Sequence, residues 1–284
     1  MTRVADLLAA GRTYSFEFFP PKTDAEHSRL VRTLAELQPL EPSFVSVTYR
    51  GGPESRQRTH DLVVGMLRTT ALTPMAHIVC TGHTRLELAD ILVSLRKAGV
   101  ENLMALGGDT PTSPDVPVGE LVHAVQLVEL ARAIGGFSIG VAAHPAGHPR
   151  SPDLTYDRDR LAEKLRMADF GVTQFFFLRD DYLRLLEALA ARGVDAPVLP
   201  GILPLTTLAS IQRAAEMGAA VPAEVAQKLE AAGDPESVRA VGIELATNLC
   251  QELLDAGAPG LHFYTFNRSH ATREIYTNLG LDEG

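Results

Sequence analysis

The residues best equipped for chemistry stand at or near the ends of short apolar segments. Ser15-Phe16-Glu17-Phe18-Phe19-Pro20-Pro21-Lys22 sets a carboxylate among aromatic rings. In an extended strand Ser15, Glu17 and Phe19 share one face, and Phe16 and Phe18 the other. A carboxylate entering an apolar lumen loses water, which predicts a raised pKa and a group suited to donating a proton near neutrality. The plain alternative is a structural ion pair, for instance with Lys22. Leu106-Gly107-Gly108-Asp109-Thr110-Pro111 exposes a second carboxylate beside two glycines that let the backbone approach a flat ligand closely. Without such a ligand it reads as an ordinary strand-to-helix turn with Asp109 as a cap.

His144-Pro145-Ala146-Gly147-His148-Pro149 holds two imidazoles, but its prolines and glycine forbid the helix that would align them on one face. No acidic partner accompanies them, and Cys80 with His83 is an equally thin pairing. No metal is expected, and hydrogen bonding to the hydroxyls or phosphates of a ligand is the better use for these histidines. Thr173-Gln174-Phe175-Phe176-Phe177 carries a carboxamide that both donates and accepts, which suits either the edge of a heterocycle or a satisfied core.

Something must bring these tips together. Eight apolar segments recur, at 14–19, 44–47, 75–79, 103–106, 137–143, 172–177, 198–202 and 261–265. Thr48, His77 and Tyr264 mark three further ends. Helical patterns separate the segments: Thr23 or Asp24 caps one whose apolar positions include Leu30, Val31, Leu34 and Leu37, and Thr84 starts another with Leu86, Leu88, Ile91, Leu92 and Leu95 on its inner face. Further patterns cover 121–134, 182–191, 207–217, 222–232 and 234–256. The spacing, roughly one strand and one helix per 26 to 35 residues until the longer last interval, predicts an α/β fold. It is a single TIM (β/α)8 barrel over 1–284 with a few accessory helices, and its chemistry gathers on the face formed by the strands' C-terminal ends. A doubly wound dinucleotide sheet would be expected to show G-x-G-x-x-G, which neither Gly107-Gly108 nor Gly135-Gly136 supplies.

A formal charge of −9 gives no overall basic field for nucleic acid or an anionic membrane surface. Cys80 and Cys250 lie far apart, as befits small core residues in a reducing compartment. With no signal-like N-terminus and no run of apolar residues long enough to span a bilayer, a cytoplasmic protein is expected.

The same residues resemble those of the methylenetetrahydrofolate reductases. The likeness rests on residues 15–22, Phe-Val-Ser-Val-Thr-Tyr at 44–49, His77, Gly108-Asp109, His148-Pro149, 173–177, Pro-Gly-Ile-Leu-Pro at 200–204 and His-Phe-Tyr-Thr-Phe-Asn-Arg at 262–268. It runs in order along nearly the whole chain and is to the short bacterial form. It implies a barrel that binds FAD and reduces 5,10-methylenetetrahydrofolate to 5-methyltetrahydrofolate with NADH or NADPH. Glu17 would be the general acid that opens the five-membered ring, and Asp109 would stabilise the resulting 5-iminium cation. Gln174, Tyr264 and Arg268 would join these two in binding folate. Thr48, His77, Leu106, Gly108, Asp109, Ala142, His144, His148, Asp157 and Lys164 would hold FAD. A homo-oligomer is implied as well.

The sequence departs from the family at several points. Gly107 stands where an arginine is usual, so one cationic contact to the flavin is missing, and His144 stands where an aromatic residue is usual. Positions that contact nicotinamide and folate in some members align with Ser210 and Ala214. Two other readings remain open: a flavin-free reductase with direct hydride transfer from NADH, and a folate- or flavin-binding subunit without turnover.

Overall fold

Strands form where apolar residues run for four to six positions between turn-forming residues, and helices where the apolar period lengthens. The computed structural model describes residues 2–49, 53–109 and 119–282. Its strands are β1 (Thr13–Phe18), β2 (Phe44–Val47), β3 (Pro74–Val79), β4 (Asn102–Leu106), β5 (Ser138–Ala143), β6 (Phe170–Phe175), β7 (Val198–Ile202) and β8 (Gly260–Tyr264). All pair in parallel, in sequence order, and β8 closes on β1. The helices are α1 (Val4–Ala10), α2 (Asp24–Leu37), α3 (Pro53–Thr69), α4 (Arg85–Lys97), α5 (Ala124–Ile134), α6 (Leu154–Leu165), α7 (Arg179–Ala190), α8 (Leu208–Glu216), α9 (Ala223–Ala231), α10 (Pro235–Asp255) and α11 (His270–Asn278). This is the TIM barrel that the spacing predicts, with α8 and α9 as the short additions before the long α10.

Two layers of apolar side chains hold it. Outward-facing strand residues such as Phe16, Phe18, Val45, Val47, Ile139 and Val141 meet the helices, while Phe44, Met75, Met104, Phe170 and Leu199 fill the interior. Each fully buried side chain of this size contributes about 2 kcal/mol by leaving water. Side-chain caps start the helices where expected: Thr23 accepts from the Glu26 amide, and Thr84 and Glu87 form a reciprocal capping box.

One expected inward position, Leu86, is corrected, and the apolar Val31 also lies outside the core. Val31 is 51% exposed and Leu86 71% exposed. At 100° per residue, the buried stripe of α2 runs through Leu30, Leu34 and Leu37, and that of α4 through Leu88, Leu92 and Leu95. Val31 and Leu86 fall off those stripes.

Helix α1 has no counterpart in the sequence reading. Its Val4 side chain is fully buried with Phe44, Met75, Met104 and Phe170. Its first amides are held by strand starts: the Val4 N–H donates to Asn102 Oδ1 (2.8 Å) and the Ala5 N–H to Ser138 Oγ (3.0 Å). The helix therefore plugs the barrel end opposite the strand tips. Among the described residues, no helix is long and apolar enough to cross a membrane.

Candidate active site

Strand alternation on β1 turns Ser15 and Glu17 into the barrel while Phe16 and Phe18 pack outward. Register then supplies the neighbours: Glu17 lies beside Ser46 on β2 and Tyr264 on β8, and Ser15 beside His262. Glu17 is buried, and its Oε2 faces His77 Nε2 at 3.4 Å, His262 Nε2 at 3.5 Å and Ser46 Oγ at 3.4 Å. Lys22 is no partner of this carboxylate; its backbone amide donates to Glu26 Oε2.

The expected rise in Glu17's pKa is corrected. Burial does push it upward and is the largest single influence. The hydrogen bond from His262, with the charges of His77 and His262, more than offsets burial and leaves the carboxyl below its usual range. His77 is itself driven down by burial. Facing an ionised carboxylate, His262 presents Nε2–H, and its Nδ1 shares a hydrogen bond of 2.8 Å with the Ser15 hydroxyl. The imidazole stacks on Phe44, with 15° between the planes, and meets Tyr264 edge-on.

Around the rim from β1, Thr48 is buried and its hydroxyl finds no hydrogen-bond partner among the described residues. At the end of β4, Gly108 has φ +83°, and a Cβ there would lie 2.6 Å from Thr81 Oγ1, so only glycine fits. Gly107 is different, because a Cβ at that position meets nothing closer than 3.6 Å. Asp109 is exposed at the tip, and Thr110 and Pro111 lie outside the described residues.

The loop after β5 and the start of α6 bring several charged groups to the rim. Asp157 accepts from the His148 amide (2.8 Å), Ser151 Oγ (3.1 Å) and the Arg158 guanidinium (2.6 Å), while Arg158 also donates to the His144 and Pro145 carbonyls. Asp157 thus fixes the loop that carries both histidines. His144 and His148 meet edge to face with ring centres 4.7 Å apart. Burial, then His148 and Lys164, push His144 down to about 4. Lys164 Nζ donates to the Ala142 carbonyl at 2.8 Å, and burial lowers its pKa to about 8, leaving it mostly protonated at neutral pH. Leu106 packs partly buried against the interior cluster.

Gln174 sits in an irregularity of the β6–β7 pairing between Val172 and Phe175. Its Nε2 donates to the Met217 carbonyl (3.1 Å) and its Oε1 accepts from the Phe175 amide (3.1 Å). Tyr264 donates to the Thr173 carbonyl and packs on Phe175. Arg268 is exposed beyond β8. Ser210 is spent in the capping box of α8, and Ala214 is fully buried.

All these residues occupy one end of the barrel in three contact groups. Glu17 joins His77, His262 and Tyr264; Asp109 belongs electrostatically with His148, Lys164 and Asp157; Gln174 joins the end of α8. A cavity of about 370 Å³ between α3 and α4 is lined by Arg56, His60, His77, Glu87 and Asp90; of the Glu17 group it includes His77, and it includes none of Glu17, Asp109 or Gln174. Among the described residues, no cluster of three or more His, Cys, Asp or Glu could hold a metal. His83 is paired with the Tyr49 hydroxyl, and Cys80 Sγ with the His123 carbonyl.

His262 and Ser46 are missing from the sequence-predicted site. The signal for His262 was available, because alternation on β8 puts it on the face of the barrel interior, and closure of the barrel sets that face beside Ser15 and Glu17.

Comparison with known proteins places the chain in a family. The methylenetetrahydrofolate reductase family matches residues 3–280. The 5,10-methylenetetrahydrofolate reductase of Escherichia coli K12 is 34% identical over 273 residues, covering 95% of this chain and 91% of its own. That of Pectobacterium carotovorum is 34% identical over 270 residues, covering 94% and 90%. A rice protein described as a probable methylenetetrahydrofolate reductase (NADH) is 31% identical, covering 99% of this chain and 50% of its own. In structure, a Clostridium thermocellum protein that binds two copies of 5-methyl-5,6,7,8-tetrahydrofolic acid shares the fold, with a TM-score of 0.71 at 12% identity over 96% of this chain and 98% of its own. From the family match and the two bacterial relatives, the chain belongs to the methylenetetrahydrofolate reductase family.

Proposed function

We propose that the protein reduces 5,10-methylenetetrahydrofolate to 5-methyltetrahydrofolate with electrons from NADH or NADPH passed through FAD. The observation that carries this reading is the buried Glu17 held between two imidazoles at the tip of β1. FAD, when bound, would supply the hydride.

The residues present fit that cofactor. Among the described residues the buried Thr48 hydroxyl has no partner and the half-buried Lys164 ammonium bonds a carbonyl, and glycine is required at 108 where the backbone lines the rim. A hydrogen-bond acceptor and an anion would satisfy the first two. His77, Leu106, Ala142, His144 and His148 would complete the wall, with Asp157 holding the loop in shape.

Glu17 would protonate the folate nitrogen as the five-membered ring opens. A folate covering the rim removes water, strengthening the influence that already acts hardest on this carboxyl and driving it toward its protonated form. The Asp109 carboxylate would stabilise the 5-iminium cation by charge. Gln174 would reach the pterin edge with its second N–H and its second lone pair, since one of each is spent on the protein. Tyr264 and Arg268 would complete the folate side.

An absorption spectrum of the purified protein, followed by addition of NADH and then methylenetetrahydrofolate, tests the reading. Flavin bands that bleach with NADH and recover with folate, yielding methyltetrahydrofolate, are expected. Colourless protein that still makes the product from NADH establishes the second reading, direct hydride transfer, which the glycine at 107 favours. Failure to form the product with any flavin or nicotinamide overturns both.

A further inference from the structure

Helix α4 packs more closely on α5 than on α3, and the cleft on the α3 side is the cavity of about 370 Å³ described above. That volume is in the range of small-molecule pockets. Its floor is apolar, with Ile78, Ile91 and Leu95 lining it. Its walls carry opposite charges on separate helices. Arg56 comes from α3, whereas Glu87 and Asp90, three residues apart and so on one face, come from α4. The guanidinium lowers the Glu87 pKa through space, yet among the described residues neither Arg56 nor Asp90 makes a hydrogen bond or an ion pair. Glu87 spends Oε2 on the Thr84 amide (2.8 Å) and hydroxyl (3.1 Å). Across the cleft the two helices meet through His60 Nε2 and Ser94 Oγ at 3.4 Å.

We propose that this cavity binds an α-amino acid with a large apolar side chain, in its zwitterionic form. The carboxylate lies on Arg56, the ammonium on Glu87 and Asp90, and the side chain over the apolar floor. A guanidinium matches a carboxylate as a planar fork of donors. A simple anion would reach Arg56 but face two carboxylates, and a simple cation would meet the converse. A molecule with both charges side by side satisfies both walls at once, while its apolar body takes the floor out of water. The cavity is apart from the candidate active site, and of the described residues assigned to folate or FAD it shares His77. The proposal stands independently of the flavin reading.

Calorimetric titration of the full chain with L-phenylalanine, phenethylamine and phenylpropanoate separates the outcomes. The second probe lacks the carboxylate and the third lacks the ammonium. L-Phenylalanine is expected to saturate a single site, with each one-charge analogue about fivefold weaker or more, in line with loss of one charge-assisted contact at an open cleft. Arg56→Gln is expected to weaken L-phenylalanine by about the same factor while leaving phenethylamine within about twofold, because that probe has no carboxylate to lose. The double variant Glu87→Gln, Asp90→Asn is expected to do the mirror image, weakening L-phenylalanine and sparing phenylpropanoate. Glutamine at 87 keeps the helix cap. L-Phenylalanine that does not saturate the wild-type protein overturns the proposal. Equal affinity for all three probes does so too, since it would mark an apolar cleft alone. Variants that bind L-phenylalanine at wild-type strength would put the ligand elsewhere, and variants that weaken every probe alike would mark loss of shape rather than of charge pairing; either result overturns it.

Discussion

Glu17 Oε2 and His262 Nε2 lie 3.5 Å apart on neighbouring strands, and the far side of the same imidazole bonds Ser15, two residues before Glu17. One period of strand alternation on β1 thus supplies both ends of a short polar chain crossing the top of the barrel. The arrangement holds the carboxyl ionised in the absence of ligand, opposite to what burial alone would do.

Replacing Glu17 by Gln keeps the shape of the side chain and removes the transferable proton. Bleaching of bound flavin by NADH should proceed near the wild-type rate. Formation of methyltetrahydrofolate should fall by about 100-fold or more, the range for loss of a general acid. Stopped-flow traces of the two half-reactions give both numbers. Folate reduction at the wild-type rate would remove Glu17 from the chemistry.

Gly201 on β7 makes room for the Tyr264 ring. A Cβ there would lie 2.4 Å from the Thr173 carbonyl oxygen and 2.6 Å from the ring. Gly201→Ala should cost about 1–3 kcal/mol, as overfilling of a packed core does. Urea unfolding checks the cost, and an unchanged midpoint would contradict the packing described.

Acid should weaken the fold through His144. Its folded pKa is about 4 against 6.5 for a free imidazole, so between those values the unfolded chain binds the extra proton. Stability from this group is intact above about pH 6.5 and declines as pH falls toward 4, by up to about 3 kcal/mol. Denaturation midpoints at pH 7.5 and 5 should therefore differ less for His144→Phe than for wild type. Equal acid sensitivity in the two proteins would assign the effect to other groups.

Asn102 offers its Oδ1 to the Val4 amide at the start of α1. Asn102→Ala leaves that buried donor without a partner, which costs about 1–3 kcal/mol. Hydrogen exchange at Val4 should accelerate along with the fall in global stability. Protection equal to wild type would show that α1 is held without this bond.

Much of the fold was legible because its signals are local. Alternation in β1, the Thr84 capping box and the left-handed glycines that follow helices, such as Gly99 and Gly135, each act within a few residues of chain. The site was legible in its inventory but not in its electrostatics. Glu17's pKa depends on His77 and His262, which lie far along the chain on β3 and β8 and meet it only when the barrel closes. Gln174 was visible as a carboxamide, whereas the irregular pairing that spends half of its hydrogen bonds on the protein was not. Helix α1 escaped notice because only Val4 of its seven residues is buried, too few to set an apolar period.

That small helix has a larger consequence. With Val4 wedged among the interior side chains, the floor beneath Glu17 is filled by packed apolar groups. A ligand settling on the rim would therefore meet a carboxyl backed by a solid base, with no room to sink away from it.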